Sequence, residues 1–161
     1  MRRTVHVSAP DVRSRLRTVG RFPVHIHSVA RDSWGHATMR VRHGGASVRV
    51  TRPERTLVDL ASLPNAQQDY EEDLQAFRTL VPRSDPRKLL REILTAPNIT
   101  TRARVGHLLR VSQADTAVPP ALLKSIRESV SGASLSYFAT KPKGASNRLD
   151  AEFRVIYPGR S

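Results

Sequence analysis

The stretch Val48-Arg49-Val50-Thr51-Arg52-Pro53-Glu54-Arg55-Thr56-Leu57-Val58-Asp59-Leu60-Ala61 decides the fold, because a strand pattern changes into a helix pattern within it. Val48 and Val50 alternate with polar neighbours, as on one face of a half-buried strand. From Thr51 onward the apolar residues recur at helical spacing instead. The stretch therefore predicts a strand that runs directly into a helix.

The start of that helix carries local signals. Thr51 and Glu54 have the spacing of a capping box, in which each side chain accepts a backbone N–H of the other residue. Pro53 suits the first helical turn, where its missing N–H costs nothing. Arg55 and Asp59 are four residues apart and are expected to form a modest ion pair. None of these residues forms a catalytic pattern.

The same stretch resembles the signature of AbiEi antitoxins, which belong to bacterial type IV toxin–antitoxin pairs. The residues that match the signature most closely are Arg55, Thr56, Leu57 and Asp59. They are interpreted as structural landmarks of the family fold.

Two later segments strengthen the resemblance, which covers roughly residues 46 to 157. Residues 101–109 are similar to a later helix of the family and include Gly106, where close packing is expected to require glycine. Residues 147–157 take the place of the terminal strand, with Phe153 where an aromatic is expected.

The resemblance implies a function and partners. An antitoxin of this family neutralises a cognate nucleotidyltransferase-like toxin without necessarily forming a stable complex, and it binds DNA to repress the shared promoter. The family usually begins with a winged helix-turn-helix, but residues 1–45 show no recognition-helix pattern. The chain is therefore expected to correspond to the C-terminal domain, with the winged helix absent.

Two alternatives remain open from the sequence. One is a nucleic-acid-binding transcriptional regulator that has no toxin partner. The other is an enzyme that covalently modifies the toxin. No P-loop, zinc-protease, hydrolase or dinucleotide motif is present, so the favoured interpretation is a protein that is not an enzyme and needs no cofactor.

The composition favours a polyanionic partner. The 161 residues carry a net charge of +13, of which +9 lies in residues 1–55, with 12 Arg and 3 acidic residues. Such a basic region attracts nucleic acids. The excess of Arg over Lys fits phosphate recognition, but a GC-rich genome, in which Arg codons dominate, is the favoured explanation of the ratio. Cysteine is absent, which excludes disulfides and thiolate chemistry.

The sequence contains neither an apolar run long enough to span a membrane nor a secretory signal. A cytoplasmic location without membrane contact is expected.

Strands, then helices, then strands again predict an α+β fold with N-terminal antiparallel strands, a central helical run and a C-terminal strand pair. We expect one domain over 1–161, with a basic strand-rich part (1–52), a helical part (53–130) and closing strands (131–161). A short helix is expected over 11–19, and a single closing strand over 149–157. The run 69–73 is interpreted as a solvated acidic helix face.

Helix starts are predicted from local caps. Asp85 with Pro86 and the pair at 119–120 each begin a helix, and Thr100 or Thr101 caps the helix between them. A hairpin is expected across 43–45, where two glycines follow His43.

Candidate nucleic-acid contacts come from two basic sets, each of which could equally be ordinary solvated surface. The N-terminal candidates are Arg13, Arg15, Arg17, Arg40, Arg42 and Arg49. The second set is Arg102, Arg104, Arg110, Lys141 and Lys143, and Arg104 is alternatively expected to pair with an acidic group. The histidines at 6, 25 and 27 suggest a metal site only weakly, because no third type of ligand is near, and none is predicted.

Overall fold

The computed structural model describes residues 5–10, 13, 15–19, 21–29, 36–43, 45–62, 70–138 and 146–159. The chain divides into two compact units, residues 1–50 and residues 51–161. The architecture is α+β, as predicted: within the described residues, strands come first, five helices follow and a sheet of three strands comes last.

The first unit contains a mixed sheet built from β1 (Val5–Pro10), β2 (Arg15–Val19) and β3 (Phe22–Val29), in the order β1-β3-β2. β2 is antiparallel to β3 and β1 is parallel to it, so the expectation of N-terminal antiparallel strands holds for β2 and β3 and is wrong for β1. The helix expected over 11–19 is also wrong, since β2 occupies its second half. Residues 15–19 pair with β3 along their whole length, whereas an isolated helix of this length is only marginally stable in water.

The hairpin expected across residues 43–45 is confirmed. It joins β4 (Thr38–His43) to β5 (Ala46–Thr51), and the two strands pair with each other. Gly45 has a φ of 79°, a left-handed conformation that glycine adopts without steric strain.

The described part of the second unit contains five helices. They are α1 (Pro53–Ser62), α2 (Tyr70–Leu80), α3 (Pro86–Leu94), α4 (Ile99–Val111) and α5 (Pro120–Ser129). Short 3-10 turns follow α2 at Val81–Arg83 and α4 at Ala114–Ala117. Helix α4 lies at the centre, because every residue from Val105 to Leu109 is buried.

The helix starts agree only partly with the local signals. Asp85 caps α3 by accepting the N–H groups of Arg87 and Lys88, as predicted, and α5 begins at Pro120. The cap of α4 is Asn98 rather than Thr100 or Thr101, since its side-chain oxygen accepts the Thr101 N–H at 2.7 Å. Thr101 is buried inside the helix instead.

The capping box at the start of α1 does not form. The Thr51 hydroxyl lies 2.7 Å from the Thr56 hydroxyl, and the buried Glu54 carboxylate accepts the backbone N–H of Asp85 at 2.8 Å. Glu54 therefore ties α1 to the start of α3. The Glu54 carboxylate thus binds the backbone N–H of Asp85 instead of that of Thr51. It needs such a partner because an unpaired buried carboxylate is costly.

The closing strands also differ from expectation. They form β6 (Ser136–Tyr137), β7 (Asn147–Asp150) and β8 (Val155–Pro158), in the order β6-β8-β7. The predicted strand over 149–157 is interrupted by a turn at 151–154, so β7 and β8 are antiparallel neighbours rather than one strand. The expected strand pair is thus a sheet of three strands.

The acidic face predicted on α2 is only partly solvated. Glu71 is exposed, but Asp73 is 2% exposed and belongs to the interior of the unit. Asp69 lies outside the described residues. The core side of α2 is formed by Leu74 and Phe77, as the helical spacing predicted.

Candidate functional site

The β4–β5 hairpin presents exposed cations. Arg40 and Arg42 on β4 and Arg49 on β5 are all exposed. They alternate along their strands with Met39 and Val48, which are 44% and 48% exposed. Since successive side chains of a strand point to opposite faces, one face of the hairpin is basic and the other is apolar. The basic face has the chemistry that phosphate contacts require.

The remaining N-terminal candidates lie outside the hairpin. Arg17 in β2 and Arg13 before it are exposed. Arg15 lies in β2 by its backbone, opposite Ile26 of β3. All three therefore lie in or beside a strand and not on the helix that the sequence predicted.

Two members of the second basic set, Arg102 and Arg104, bind backbone carbonyl oxygens of their own unit. Arg104 donates to the carbonyl oxygens of Ala61, at 3.4 Å, and of Tyr137, at 2.5 Å. The expectation that Arg104 pairs with an acidic group is therefore wrong. Burial lowers the pKa of this guanidinium. Arg102 donates to the carbonyl of Ala96 at 3.1 Å. Both contacts hold neighbouring segments against α4, while Lys141 and Lys143 lie outside the described residues.

A buried polar network surrounds His107 on α4. The His107 side chain is completely buried, with Nδ1 2.9 Å from Oδ2 of Asp150 and Nε2 2.8 Å from the hydroxyl of Tyr70. Arg110 closes the network on the far side of Asp150, with its terminal nitrogen 2.8 Å from Oδ2. The network therefore joins α2, α4 and the end of β7.

The second oxygen of Asp150 organises the β7–β8 turn. Its Oδ1 accepts the backbone N–H groups of Glu152 at 3.1 Å and Phe153 at 3.3 Å. Burial alone would raise the pKa of Asp150, but hydrogen bonds from His107 and Arg110 outweigh it and lower the pKa to about 2. Asp150 is thus ionised at neutral pH and holds a helix and a turn together.

The tyrosine, histidine and aspartate of this network resemble a catalytic relay in composition only. Tyr70, Phe138 and Tyr157 pack around the imidazole, with ring centroids 4.5–6.0 Å from it. Both ring nitrogens are engaged and the side chain has no exposed surface, so a substrate has no access to it. The network is best interpreted as a structural device.

Sequence reasoning missed this network. His107 lies within the family-like segment 101–109, but no local pattern in the sequence assigns it a role or links it to Tyr70 or Asp150. The available signal was a histidine on the apolar side of a helix, which requires polar partners when it is buried.

The landmark residues of the family signature lie on α1, which packs against α2, α3 and α4 of the second unit. Arg55 Nε donates to Asp59 Oδ1 at 2.8 Å, which confirms the predicted pair, and Arg55 also lies 3.9 Å from the buried Glu92 of α3. Burial raises the pKa of Asp59, and the hydrogen bond and charge of Arg55 oppose that shift. Leu57 is fully buried and Thr56 bonds to Thr51.

Gly106 lies on the side of α4 that contacts the turn after β7. A Cβ built on Gly106 would overlap the ring of Phe153, which is itself 1% exposed. The expectation that close packing requires this glycine is confirmed.

The described residues contain neither a candidate metal site nor a candidate membrane-spanning helix. No group of three or more histidine, aspartate or glutamate side chains that could hold a metal ion occurs in the described ranges. Within those same ranges, no helix has both the length and the apolar character needed to cross a bilayer.

The family model described as the AbiEi antitoxin C-terminal domain matches residues 2–111. The chain belongs to this family. It is therefore an antitoxin-family protein of a toxin–antitoxin pair. Comparison with curated proteins found no match, and comparison with solved structures found none either.

The AbiEi match differs in extent from the resemblance seen in the sequence. It begins at residue 2 rather than near residue 46, so it includes the strand-rich first unit as well as α1 to α4. It ends at residue 111, before the closing segment 147–157 that resembles the family's terminal strand. The segments around Arg55 and Gly106 both lie inside the match.

Proposed function

We propose that this AbiEi-family chain neutralises a nucleotidyltransferase-like toxin by the type IV route, in the bacterial cytoplasm, and also binds DNA to repress the promoter that it shares with the toxin. The family match carries the antitoxin part of the proposal. The uneven charge of the chain and its exposed basic hairpin support the DNA-binding part.

The DNA-binding role is assigned to the basic hairpin face, defined by Arg40, Arg42 and Arg49. Guanidinium groups on a two-stranded ribbon contact phosphates, which gives affinity and strong salt dependence but little choice of sequence. Arg13 and Arg17 are proposed to add to the same positive field. Arg102, Arg104 and Arg110 contribute less, because their nitrogens are partly occupied by carbonyl and carboxylate oxygens.

Growth rescue tests the antitoxin role. The nucleotidyltransferase-like protein encoded beside this chain is expressed in bacteria with and without it, and restored growth is expected. A neighbour that is not toxic, or toxicity that persists despite full expression of this chain, would contradict neutralisation. The regulator without a toxin partner would then become the better account.

Separate experiments test the type IV route and the promoter role. Size-exclusion chromatography of the purified pair should show two separate peaks, whereas one stable complex would argue for direct sequestration. Mass spectrometry should find the toxin unmodified after incubation with this chain. A triple variant, Arg40→Gln, Arg42→Gln and Arg49→Gln, should lose affinity for the promoter DNA and have a weaker salt dependence. Unchanged binding would remove the hairpin from the proposed interface.

A further inference from the structure

Helix α3 carries a second positive surface that the sequence patterns did not single out. The helix buries Leu89, Glu92 and Ile93 against the rest of its unit. Arg87 and Arg91 are exposed and, four residues apart, lie on the opposite side of the helix. Exposed Arg83, from the preceding 3-10 turn, and Lys88 extend the same surface. We call the four cations, Arg83, Arg87, Lys88 and Arg91, the α3 ridge.

The charges of the α3 ridge are largely uncompensated. Within the described residues, no ion pair is formed by Arg83, Arg87 or Arg91. Asp85 is the nearby acid, but its carboxylate accepts two helix N–H groups and lies 3.8 Å from the Lys88 ammonium. Glu92 faces the interior, where its carboxylate lies near Arg55.

The geometry of the ridge suits a regular polyanion. A rise of about 6 Å separates Arg87 from Arg91 along the helix axis, which is comparable with the separation of neighbouring phosphates on one nucleic-acid strand. Arginine forks bind phosphate oxygens bidentately. Residues 81–98 contain no aromatic side chain, so a stacking platform for single-stranded bases is missing from this part of the sequence.

A protein partner fits the ridge less well. The core of a protein interface requires large apolar or aromatic anchors that are depleted of charge. Leu94 is the exposed large apolar residue at the end of the ridge, and it is 39% exposed. One such residue beside four cations favours contact with phosphates over contact with a protein core.

We propose that the α3 ridge is a second DNA contact, which holds the phosphate backbone of a duplex independently of the hairpin. This inference rests on the proposed DNA-binding function and assigns it a second surface. Ridge contacts to phosphates add affinity and salt dependence without reading sequence.

The test compares salt titrations of full-length variants. Fluorescence anisotropy measures binding to a labelled DNA duplex of about 20 base pairs at salt concentrations from about 50 to about 200 mM. The ridge variant carries Arg87→Gln and Arg91→Gln. A matched control carries Lys124→Gln and Arg148→Gln, which remove the same charge from exposed positions elsewhere. Thermal melting confirms that each variant is folded, and glutamine is tolerated well in helices.

Loss of the ridge is expected to reduce the slope of log affinity against log salt by about 2, since each phosphate contact contributes about 0.9. The control should keep the wild-type slope. Equal slopes for the ridge variant and wild type would overturn the ridge proposal while leaving the DNA-binding function intact. Wild-type protein that binds no duplex DNA would overturn both. If the wild type bound an RNA duplex of the same sequence more tightly than the DNA duplex, and if Arg87 and Arg91 were responsible for the difference, the assignment of the ridge to DNA would be overturned.

Discussion

The ring of Phe153 occupies the space beside α4 in which Gly106 would carry a side chain. A Cβ at Gly106 would lie 2.9 Å from Phe153 Cζ and closer still to two other ring carbons. The helix and the turn that carries Phe153 therefore approach each other as closely as a bare Cα permits.

Substitution of Gly106 by alanine should destabilise the protein despite the better helix propensity of alanine. Overpacking costs about 1–3 kcal/mol, and the gain in propensity offsets about 1 kcal/mol of that. Urea unfolding should therefore show a lower midpoint. Gly132→Ala is the matched control, because a Cβ there meets no atom within 4 Å. Equal midpoints for the two variants would contradict the contact.

A second substitution tests whether Phe153 is the cause. In the Gly106→Ala background, Phe153→Leu should recover part of the lost stability, because the smaller side chain leaves room for the methyl group. In the wild-type background the same change should only destabilise. A double-mutant cycle without coupling would mean that the two residues act separately.

Asp150→Asn should reveal the charged character of the network through pH. Because the folded-state pKa of Asp150, about 2, lies below the ordinary 3.8, ionised Asp150 stabilises the fold above about pH 4. That contribution is lost as the pH falls from about 4 to about 2, and it amounts to about 2 kcal/mol. The difference in unfolding free energy between wild type and variant should shrink by about this amount over that range.

The control for Asp150 is Glu152→Gln, which removes a carboxylate paired with the exposed Arg127. Surface pairs contribute only about 0–1 kcal/mol, so its stability difference from wild type should be small at every pH. A difference between wild type and Asp150→Asn that does not change with pH would show that Asp150 acts by shape rather than by charge.

Tyr70→Phe tests the other side of His107. It removes the hydroxyl that lies 2.8 Å from His107 Nε2 but keeps the ring that packs against Phe138 and Tyr157. A buried nitrogen without its partner should cost about 1–3 kcal/mol in chemical denaturation. Tyr137→Phe, at a position that is 45% exposed, should change stability by less than about 0.5 kcal/mol.

Glu54→Ala should destabilise the packing of α1 against α3. It leaves the backbone N–H of Asp85 without its carboxylate partner, at a cost of about 1–3 kcal/mol in unfolding free energy. Glu54→Gln keeps an acceptor oxygen and should cost less. Thr51→Ala should be additive with Glu54→Ala, whereas strong coupling between the two would support the capping box over the observed contact.

Local sequence signals predicted the features that depend on neighbours in the chain. Asp85 caps the N–H groups two and three residues later, and Arg55 pairs with Asp59 one helical turn away. The hairpin around Gly45 and the apolar side of α2 follow from equally short patterns. Such interactions form within one or two turns of chain, so their residue spacing is sufficient to predict them.

Local sequence signals gave wrong predictions where a distant segment of the chain, and not a near neighbour, sets the environment of a residue. Glu54 bonds to Asp85, 31 residues away, instead of the nearby Thr51. Residues 15–19 pair with β3 although their pattern predicts a helix. Asp73 is buried within a run of acids that the sequence alone suggests is solvated. In each case the tertiary environment changes the energy of the group by more than the local preference does.

The sequence by itself determined the α+β order of elements, the family and the basic character of the chain. Only the tertiary structure decided which cations are exposed and which ones hold the fold together. Arg104 and Arg91 both lie on helices and have the same chemistry, but Arg104 donates to two carbonyl oxygens and Arg91 is exposed on the outer side of α3. The side of a helix that faces the core depends on packing with distant segments, and spacing along the chain does not encode those contacts.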